Sequence, residues 1–285
     1  MKKQIRDLAN KFGYDITKIH KHENLPQTAF AAPGEPVINY PYLRNFNIFG
    51  NKFQFFIAGI NGKEYYDYDN ELFESVAEPK SILSILEPND HVLEIGAHNG
   101  FYTTLMATFL KQGTGSIIAL EAFPLNSMIA ASNIGINQLS NARILNAAGS
   151  DKKGIIEITN DPNCSVVEGD EASNKLKVEA MSIDEICAEN PNINFIKIDV
   201  EGYEETVLKG AVNLLKKAPK IELEVHNANH LLQNHGGDLK RLLQMIDYKR
   251  YKGRVMFKAD TYNYHDVDFD NLPTEEDFNL FLMPK

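Results

Sequence analysis

Two glycines four residues apart, Gly96 and Gly100, follow an apolar run and an acid, Glu94, in the segment EIGAHNG. Glycine at a strand-to-helix turn lets the backbone approach a ligand closely. The dinucleotide fingerprint GxGxxG would also need glycine at position 98, where the chain has histidine, so this segment disfavours a dehydrogenase. An acid at such a turn suits a ligand with an ammonium or sulfonium group better than a pyrophosphate.

A second acid, Glu121, lies 25 residues after Gly96 and directly follows the apolar run IIAL. An acid at this strand exit commonly accepts hydrogen bonds from both hydroxyls of a ribose. The alternative is a surface charge at the start of the helix that begins near Pro124. Because Glu121 leaves a buried strand, we favour the ribose role, and the two acids with their glycine turn predict an adenosine site.

Asp199, Glu201 and His226 follow two further apolar runs and are candidates for taking a proton from a hydroxyl nucleophile. Glu201 stands beside Gly202 and could instead cap the following helix. His226 could instead be a hydrogen-bonded histidine at a strand end. Asp199 and Glu201 could also hold a divalent cation, but two acids do not establish a metal site, and none is predicted.

Strands and helices must position these side chains. From residue 88 onward, short apolar runs typical of strands alternate with segments that have a helical pattern. They predict an α/β fold with a doubly wound, mostly parallel sheet. The strands are expected over His91–Ile95, Ser116–Glu121, Arg143–Ala147, Phe195–Val200 and Ile221–His226. The helices are expected over Phe101–Gln112, Pro124–Gln138, Tyr203–Lys217 and Leu239–Ile246, and a closing strand pair over Arg250–Lys258 and Asn279–Met283.

The residues before this alternation read as a small α+β extension. Residues 46–60 predict two short strands around a Gly50-Asn51 turn. Residues 71–86 predict two helical segments broken at Pro79. The aromatic run at Tyr65 and Tyr66 is interpreted either as a substrate wall or as packing against the strands. We expect residues 1–80 to form an N-terminal extension on the substrate side and residues 81–285 to form the main domain.

Composition describes an ordinary globular chain of 285 residues, 43% hydrophobic, with a net charge of −10. This charge argues against a nucleic-acid substrate. Basic side chains concentrate in residues 1–22 and 249–258, either as solvated surface or as a patch for an anionic ligand. No membrane span and no secretory signal are visible, and the two cysteines fit reduced thiols, so a cytoplasmic location is expected.

The segment IKIDVEGYEETVLKGA at residues 196–211 resembles the hallmark segment of the FkbM-type methyltransferases. Other parts are similar to that family in the same order. They are EIGAHNG with Tyr102 and Thr103, EAFP at 121–124, Asn133 and Asn137, AMSID at 180–184, and EVH at 224–226. The resemblance covers roughly residues 70–226. One departure is Glu94, where many members have aspartate, and it retains the carboxylate.

This resemblance implies a Rossmann-like methyltransferase fold with a seven-stranded sheet, S-adenosylmethionine as cofactor, and methyl transfer to a hydroxyl oxygen. The acceptor is expected to be a carbohydrate, a glycosylated compound or a polyketide-type small molecule. A non-catalytic member that binds the cofactor or a partner is the alternative. Carried over by position, the residues at the cofactor are Glu94, Gly96, Ala97, His98, Asn99, Gly100, Tyr102, Thr103, Glu121, Ala122, Phe123, Ala147, Ala148 and Asp199.

Strand alternation adds an expectation about the base of the site. Lys197 and Asp199 share one strand face, as do Glu222, Glu224 and His226 on the next strand. With Asp199 beside His226, the register predicts an ion pair between Lys197 and Glu224. In that arrangement His226→Ala is expected to reduce turnover while barely changing the melting temperature.

Overall fold

A computed structural model of the chain describes residues 41–167 and 174–285. The basic run in residues 1–22 and the first half of the predicted extension lie outside these ranges. Residues 43–285 belong to one compact unit. The strands are β1 (Tyr42–Ile48), β2 (Asn51–Ile57), β3 (His91–Ile95), β4 (Ser116–Leu120), β5 (Ala142–Leu145), β6 (Ala148–Ser150), β7 (Gly154–Thr159), β8 (Lys175–Ser182), β9 (Phe195–Ile198), β10 (Lys220–Val225), β11 (Tyr251–Phe257), β12 (His265–Asp266) and β13 (Phe278–Pro284).

Helices connect most of these strands, and several are only one or two turns long. None of the helices in the described ranges is both long and apolar enough to cross a membrane. The α-helices are Ile60–Tyr66, Asn70–Ser75, Ala77–Ile85, Phe101–Leu110, Pro124–Ile136, Ile183–Glu189, Glu204–Lys209, Val212–Lys216, Leu231–Asn234 and Leu239–Ile246.

The central sheet has the strand order β12-β11-β13-β10-β9-β3-β4-β5. The five strands from β10 to β5 are parallel, and β13 is antiparallel to both of its neighbours. This confirms the predicted doubly wound α/β fold, with the two-residue strand β12 added at the edge of the seven strands.

Alternate side chains of the central strands enter different cores, as expected for a sheet covered on both faces. Leu93 and Ile95 belong to a cluster with the helices after β9 and β10, whereas Val92 and Phe195 belong to a second cluster with the helices Ala77–Ile85 and Phe101–Leu110. These two cores hold the strand exits in place.

A second sheet of three strands, in the order β6-β8-β7, lies between β5 and β9 in the chain. The sequence analysis did not predict these strands. The side chains of β7 and β8 are largely half-buried or exposed, so their apolar pattern is weaker than that of the central strands. β6 is buried but has only three residues.

Two predicted helical regions are interrupted at other positions than the sequence analysis expected. The helix expected over 203–217 is two helices that meet at Gly210, where a Cβ would lie 2.0 Å from the Ser150 carbonyl oxygen. The break expected at Pro79 is at Val76, whose backbone is extended. Pro79 instead occupies the first turn of Ala77–Ile85, where the missing N–H costs no helical hydrogen bond.

Candidate functional site

A cavity of about 330 Å³ opens where the loops after β3, β4 and β9 converge. The chain passes from β3 to β4 on one side and later to β9 on the other, and such a switch point is the usual ligand crevice of an open α/β sheet. Eleven of the residues predicted from sequence line it: Glu94, Gly96, Ala97, His98, Tyr102, Glu121, Ala122, Ala147, Ala148, Asp199 and Glu201.

Five predicted residues lie behind the cavity lining. The Asn99 carbonyl accepts a hydrogen bond from the Asn133 side chain. Gly100 packs against Ala130, and a Cβ added at Gly100 would lie 2.8 Å from the Cβ of Ala130. The Thr103 hydroxyl donates to Glu94 at 2.5 Å. The Phe123 ring packs with Ala148, Ile158 and Val178. His226 is buried behind Asp199 and Glu201.

Gly96 is required by chain packing at the turn after β3. Its φ is +87°, and a Cβ would lie 1.7 Å from the Asp199 carbonyl oxygen. The amides of Gly96 and Ala97 both donate to the Leu120 carbonyl. The sequence analysis attributed the close approach at this glycine to a ligand, and the structure shows that the loop also needs it to pass the exit of β9.

Glu121 is buried at the exit of β4 and is held by two backbone donors. Its Oε2 accepts from the His98 amide at 2.7 Å, and its Oε1 accepts from the Phe123 amide at 2.9 Å. Burial raises the pKa of Glu121 to about 7, and the two backbone hydrogen bonds oppose the rise. A hydrogen-bonded carboxyl therefore faces the cavity beside the glycine turn.

Glu94 lies on the same edge of the sheet and is also buried. Desolvation raises the pKa of Glu94 to about 7, while Lys197 and the Thr103 hydroxyl lower it. The cavity thus has two buried carboxyls whose protonation changes near neutral pH.

Lys197 pairs with Glu222, and the predicted pair with Glu224 is wrong. Its ammonium lies 3.0 Å from Glu222 Oε2 and 5.2 Å from the centre of the Tyr102 ring. The reason is the register of β9 and β10, which places Glu222 directly opposite Lys197. Glu224, one pleat further along, pairs with Lys258 at 2.9 Å instead. The predicted shared face is correct, and the predicted register is shifted by two residues.

His226 lies among four carboxylates. Its Nδ1 is 2.5 Å from Glu204 Oε1. Its Nε2 is 3.4 Å from Glu224, 3.7 Å from Glu201 and 3.9 Å from Asp199. Burial alone would lower the pKa of His226, but the hydrogen bond to Glu204 and the charges around the ring raise it to about 10.

Glu201 does not cap the helix that follows it. The Gly202 amide donates to Glu204 instead, and Glu201 itself has a φ of +46°, in the left-handed region. About a third of its side chain is exposed, as for Asp199. Both carboxylates are therefore accessible from the cavity.

Several lining residues were missed or left open by the sequence analysis. Glu78 and Lys258 face the cavity. Lys258 belongs to the basic run that was left open between solvated surface and a patch for an anionic ligand, and it pairs with Glu224. Tyr65 and Tyr66 both line the cavity, and Tyr66 also packs on Phe101 and hydrogen-bonds His98 Nδ1 at 2.6 Å. The available signal was the aromatic run itself. Tyr66 packs against Phe55 of β2, as one interpretation predicted, and its role as a substrate wall stays a prediction.

Solved structures that are similar to this chain include three methyltransferases. An FkbM methyltransferase from Methylobacillus flagellatus is 16% identical, with a TM-score of 0.45 over 74% of this chain and 50% of that one, so the chain spans about half its length. An O-methyltransferase from Bacillus cereus in complex with SAH is 17% identical, with a TM-score of 0.40 over 72% and 80% of the two chains. A precorrin-6y C5,15-methyltransferase from Geobacter metallireducens is 13% identical, with a TM-score of 0.44 over 73% and 87%.

A comparison with curated proteins found no match. The family model of the FkbM methyltransferase domain matches residues 94–253, which is more than half of the chain. The matched region contains the glycine turn, Glu121, Asp199 and His226. The chain therefore belongs to the FkbM methyltransferase family, whose cofactor is S-adenosylmethionine.

Proposed function

We propose that this protein is a cytoplasmic O-methyltransferase that transfers the methyl group of S-adenosylmethionine to a hydroxyl of a carbohydrate, a glycosylated compound or a polyketide-type small molecule. The observation that carries the proposal is the placement of Glu121. Two backbone amides hold its carboxyl at the exit of β4, facing the same cavity as Glu94 and the glycine turn. Family membership supplies the class of reaction.

The residues around the cavity fit this cofactor. The Glu121 carboxylate has about four acceptor positions. The His98 and Phe123 amides and the Asn126 side chain hydrogen-bond it, so acceptor capacity remains for a ribose hydroxyl. The apolar side chains of Ala122, Ala147 and Ile158 line the cavity for the adenine. The acids at its base suit a ligand with a sulfonium and an ammonium group, since opposite charges attract strongly away from bulk water.

The proposed cofactor contacts divide into two groups. Glu94, Gly96, Ala97, His98, Tyr102, Glu121, Ala122, Ala147, Ala148 and Asp199 line the cavity and are proposed to contact the cofactor. Asn99, Gly100, Thr103 and Phe123 are proposed to support those residues from behind, because their side chains or backbones bind other parts of the protein.

Asp199 and Glu201 are proposed to act on the acceptor. A sulfonium methyl group is already activated, so the protein must mainly place the acceptor oxygen in line with it, an effect on the order of 7–11 kcal/mol. A positioned base adds roughly 10²- to 10⁴-fold. The two carboxylates are exposed to the cavity, whereas His226 contacts both of them from behind and is proposed to orient them.

The acceptor side is proposed to include the described part of the predicted extension that belongs to the compact unit, residues 43–80, of which Tyr65, Tyr66, Phe73 and Glu78 line the cavity. Aromatic faces such as Tyr65, which is largely exposed, pack well on sugar rings. A nucleic-acid acceptor is disfavoured by the net charge of −10 and by the carboxylates at the cavity.

Transfer of a labelled methyl group from S-adenosylmethionine to a panel of sugars, glycosides and polyketide alcohols tests the proposal. We expect label in at least one acceptor and a loss of at least about 100-fold in Asp199→Asn, the scale of a lost catalytic base. Asp266→Asn, an exposed acid on β12, is the matched control. Cofactor binding without transfer to any acceptor would favour the non-catalytic alternative.

A further inference from the structure

Asp199, Glu224 and His226 come from the exits of the neighbouring strands β9 and β10. One donor atom of each lies within 4.8 Å of the others. The Nε2 atom of His226 is 3.4 Å from Glu224 Oε1 and 3.9 Å from Asp199 Oδ1. Ligands about 2.1 Å from one metal ion are themselves roughly 3 to 3.5 Å apart, so small side-chain movements would bring all three onto one ion.

The orientation of His226 is the second observation that points to a ligand. The residue is only 5% exposed, and its Nδ1 is fixed by Glu204. Its Nε2 faces three carboxylates at 3.4 to 3.9 Å, and a bound metal ion would take the place of the proton that these carboxylates favour on the ring. A histidine that ligates a metal generally hydrogen-bonds a carboxylate or carbonyl through its other nitrogen, and Glu204 holds this histidine in that way.

Acidic side chains outnumber basic ones around His226, which favours binding of a cation. Lys197 and Lys258 are the lysines within ion-pair distance of the group's carboxylates in the described chain. With the His226 ring they make three basic groups. The acidic groups near them number six and are Glu78, Asp199, Glu201, Glu204, Glu222 and Glu224.

We propose that Asp199, Glu224 and His226 bind a divalent first-row metal ion such as Mn²⁺ at the wall of the cavity. Two carboxylates and one imidazole form a mixed oxygen and nitrogen donor set, which suits Mn²⁺ or Fe²⁺ better than Ca²⁺. Asp199 and Glu224 both line the cavity, so remaining coordination positions of the ion face it. This role rests on the proposed function: the ion would bind the acceptor oxygen and make its hydroxyl proton easier to remove.

Titration of the metal-stripped full chain with Mn²⁺, followed by the electron paramagnetic resonance signal of free Mn²⁺, tests the site without any cofactor. We expect one ion per chain. Glu224→Gln keeps an oxygen for Lys258 and should weaken Mn²⁺ binding by at least about 100-fold, beyond the roughly 10- to 100-fold typical of residues that only support a ligand.

Glu201→Gln is the matched variant, because it removes the same charge 3.7 Å from His226 but no proposed ligand. It should weaken binding by about tenfold or less, the scale of a more distant charge. Absence of Mn²⁺ binding to folded wild-type protein would overturn the proposal, and so would equal losses in the two variants. Because S-adenosylmethionine is absent, failure here is distinguishable from failure of the proposed methyl transfer.

Discussion

At the scale of single residues, Glu121 combines burial with a role that needs an available carboxylate. Its two backbone donors, the amides of His98 and Phe123, fix the carboxyl but leave lone pairs toward the cavity. Desolvation places its pKa at about 7. The same burial that suits ligand binding therefore makes the charged form costly to the folded protein.

Removing this carboxyl should weaken cofactor binding. Glu121→Ala is expected to reduce the binding free energy of S-adenosylmethionine by roughly 1–3 kcal/mol, the scale of hydrogen bonds to a charged group. Isothermal titration measures the change, with Glu189→Ala, an exposed acid on another helix, as control. Unchanged affinity in Glu121→Ala would remove the ribose role from this residue.

The pKa of Glu121 also predicts a pH dependence of stability. The pKa of about 7 in the folded protein is above the usual glutamate pKa of 4.5. The stabilising contribution is therefore present below pH 4.5 and is lost as pH rises through 7. Between pH 5 and pH 8 the unfolding free energy should fall by roughly 2 to 3 kcal/mol from this group. Urea unfolding of both proteins at the two pH values measures this. The decrease in unfolding free energy from pH 5 to pH 8 should be smaller in Glu121→Ala than in the wild type by that amount. An equal fall in both proteins would contradict the assigned shift.

His226→Ala is expected to destabilise the fold, unlike the prediction from sequence. Glu204 is fully buried and its Oε1 contacts His226 Nδ1, so the variant leaves a buried charge with fewer partners. A loss of about 3 kcal/mol follows from the usual cost of breaking a buried pair. Thermal or urea unfolding measures it. The double variant with Glu204→Gln should recover part of the loss, and a single variant as stable as wild type would refute this account.

At the scale of elements, the register of β9 and β10 determines which buried charges meet. Strand alternation places Lys197 and the acids of β10 on one face, as the sequence analysis predicted. The register depends on how far each strand extends before its turn. Because side chains alternate with a period of two, moving β10 by two residues relative to β9 leaves the same residues on each face, so the apolar pattern does not distinguish the two registers. The observed register pairs Lys197 with Glu222.

Glu222→Ala should therefore cost more stability than Glu224→Ala. Glu222 and Lys197 are both essentially inaccessible, so removing the acid leaves a buried ammonium and should cost about 3–5 kcal/mol. Glu224 pairs with Lys258, which is one-third exposed and can reach water. Chemical unfolding of the two variants decides the point, and a larger loss in Glu224→Ala would favour the register that the sequence suggested.

Other elements show which signals the sequence carries. The buried strands and the helix Leu239–Ile246 have strong apolar patterns, and their positions were predicted closely. The interruption at Gly210 depends on contact with Ser150, 60 residues away. The strands β7 and β8 are only partly buried and β6 has only three small residues, so their apolar pattern is weak. Local periodicity therefore predicts the elements of the core and misses boundaries set by distant contacts.

At the scale of the whole molecule, the parallel order of β10, β9, β3 and β4 brings four strand exits to one edge. This order explains why motifs separated by up to 130 residues could be assigned to one site from sequence. Glu78 and Lys258 could not be assigned, because they reach the cavity from a helix before β3 and from the end of β11. Their approach depends on packing across the sheet, which no local pattern reports. The division of the chain at residue 80 stays a prediction.

Isothermal titration of the pure full chain with S-adenosylmethionine and S-adenosylhomocysteine tests the central claim most directly. The account predicts that both ligands bind once per chain, in the cavity after β3 and β4. Glu121→Ala should weaken both, since the two ligands share the ribose, while Glu189→Ala should bind them as wild type does. Absence of binding of either ligand to folded wild-type protein would contradict the account.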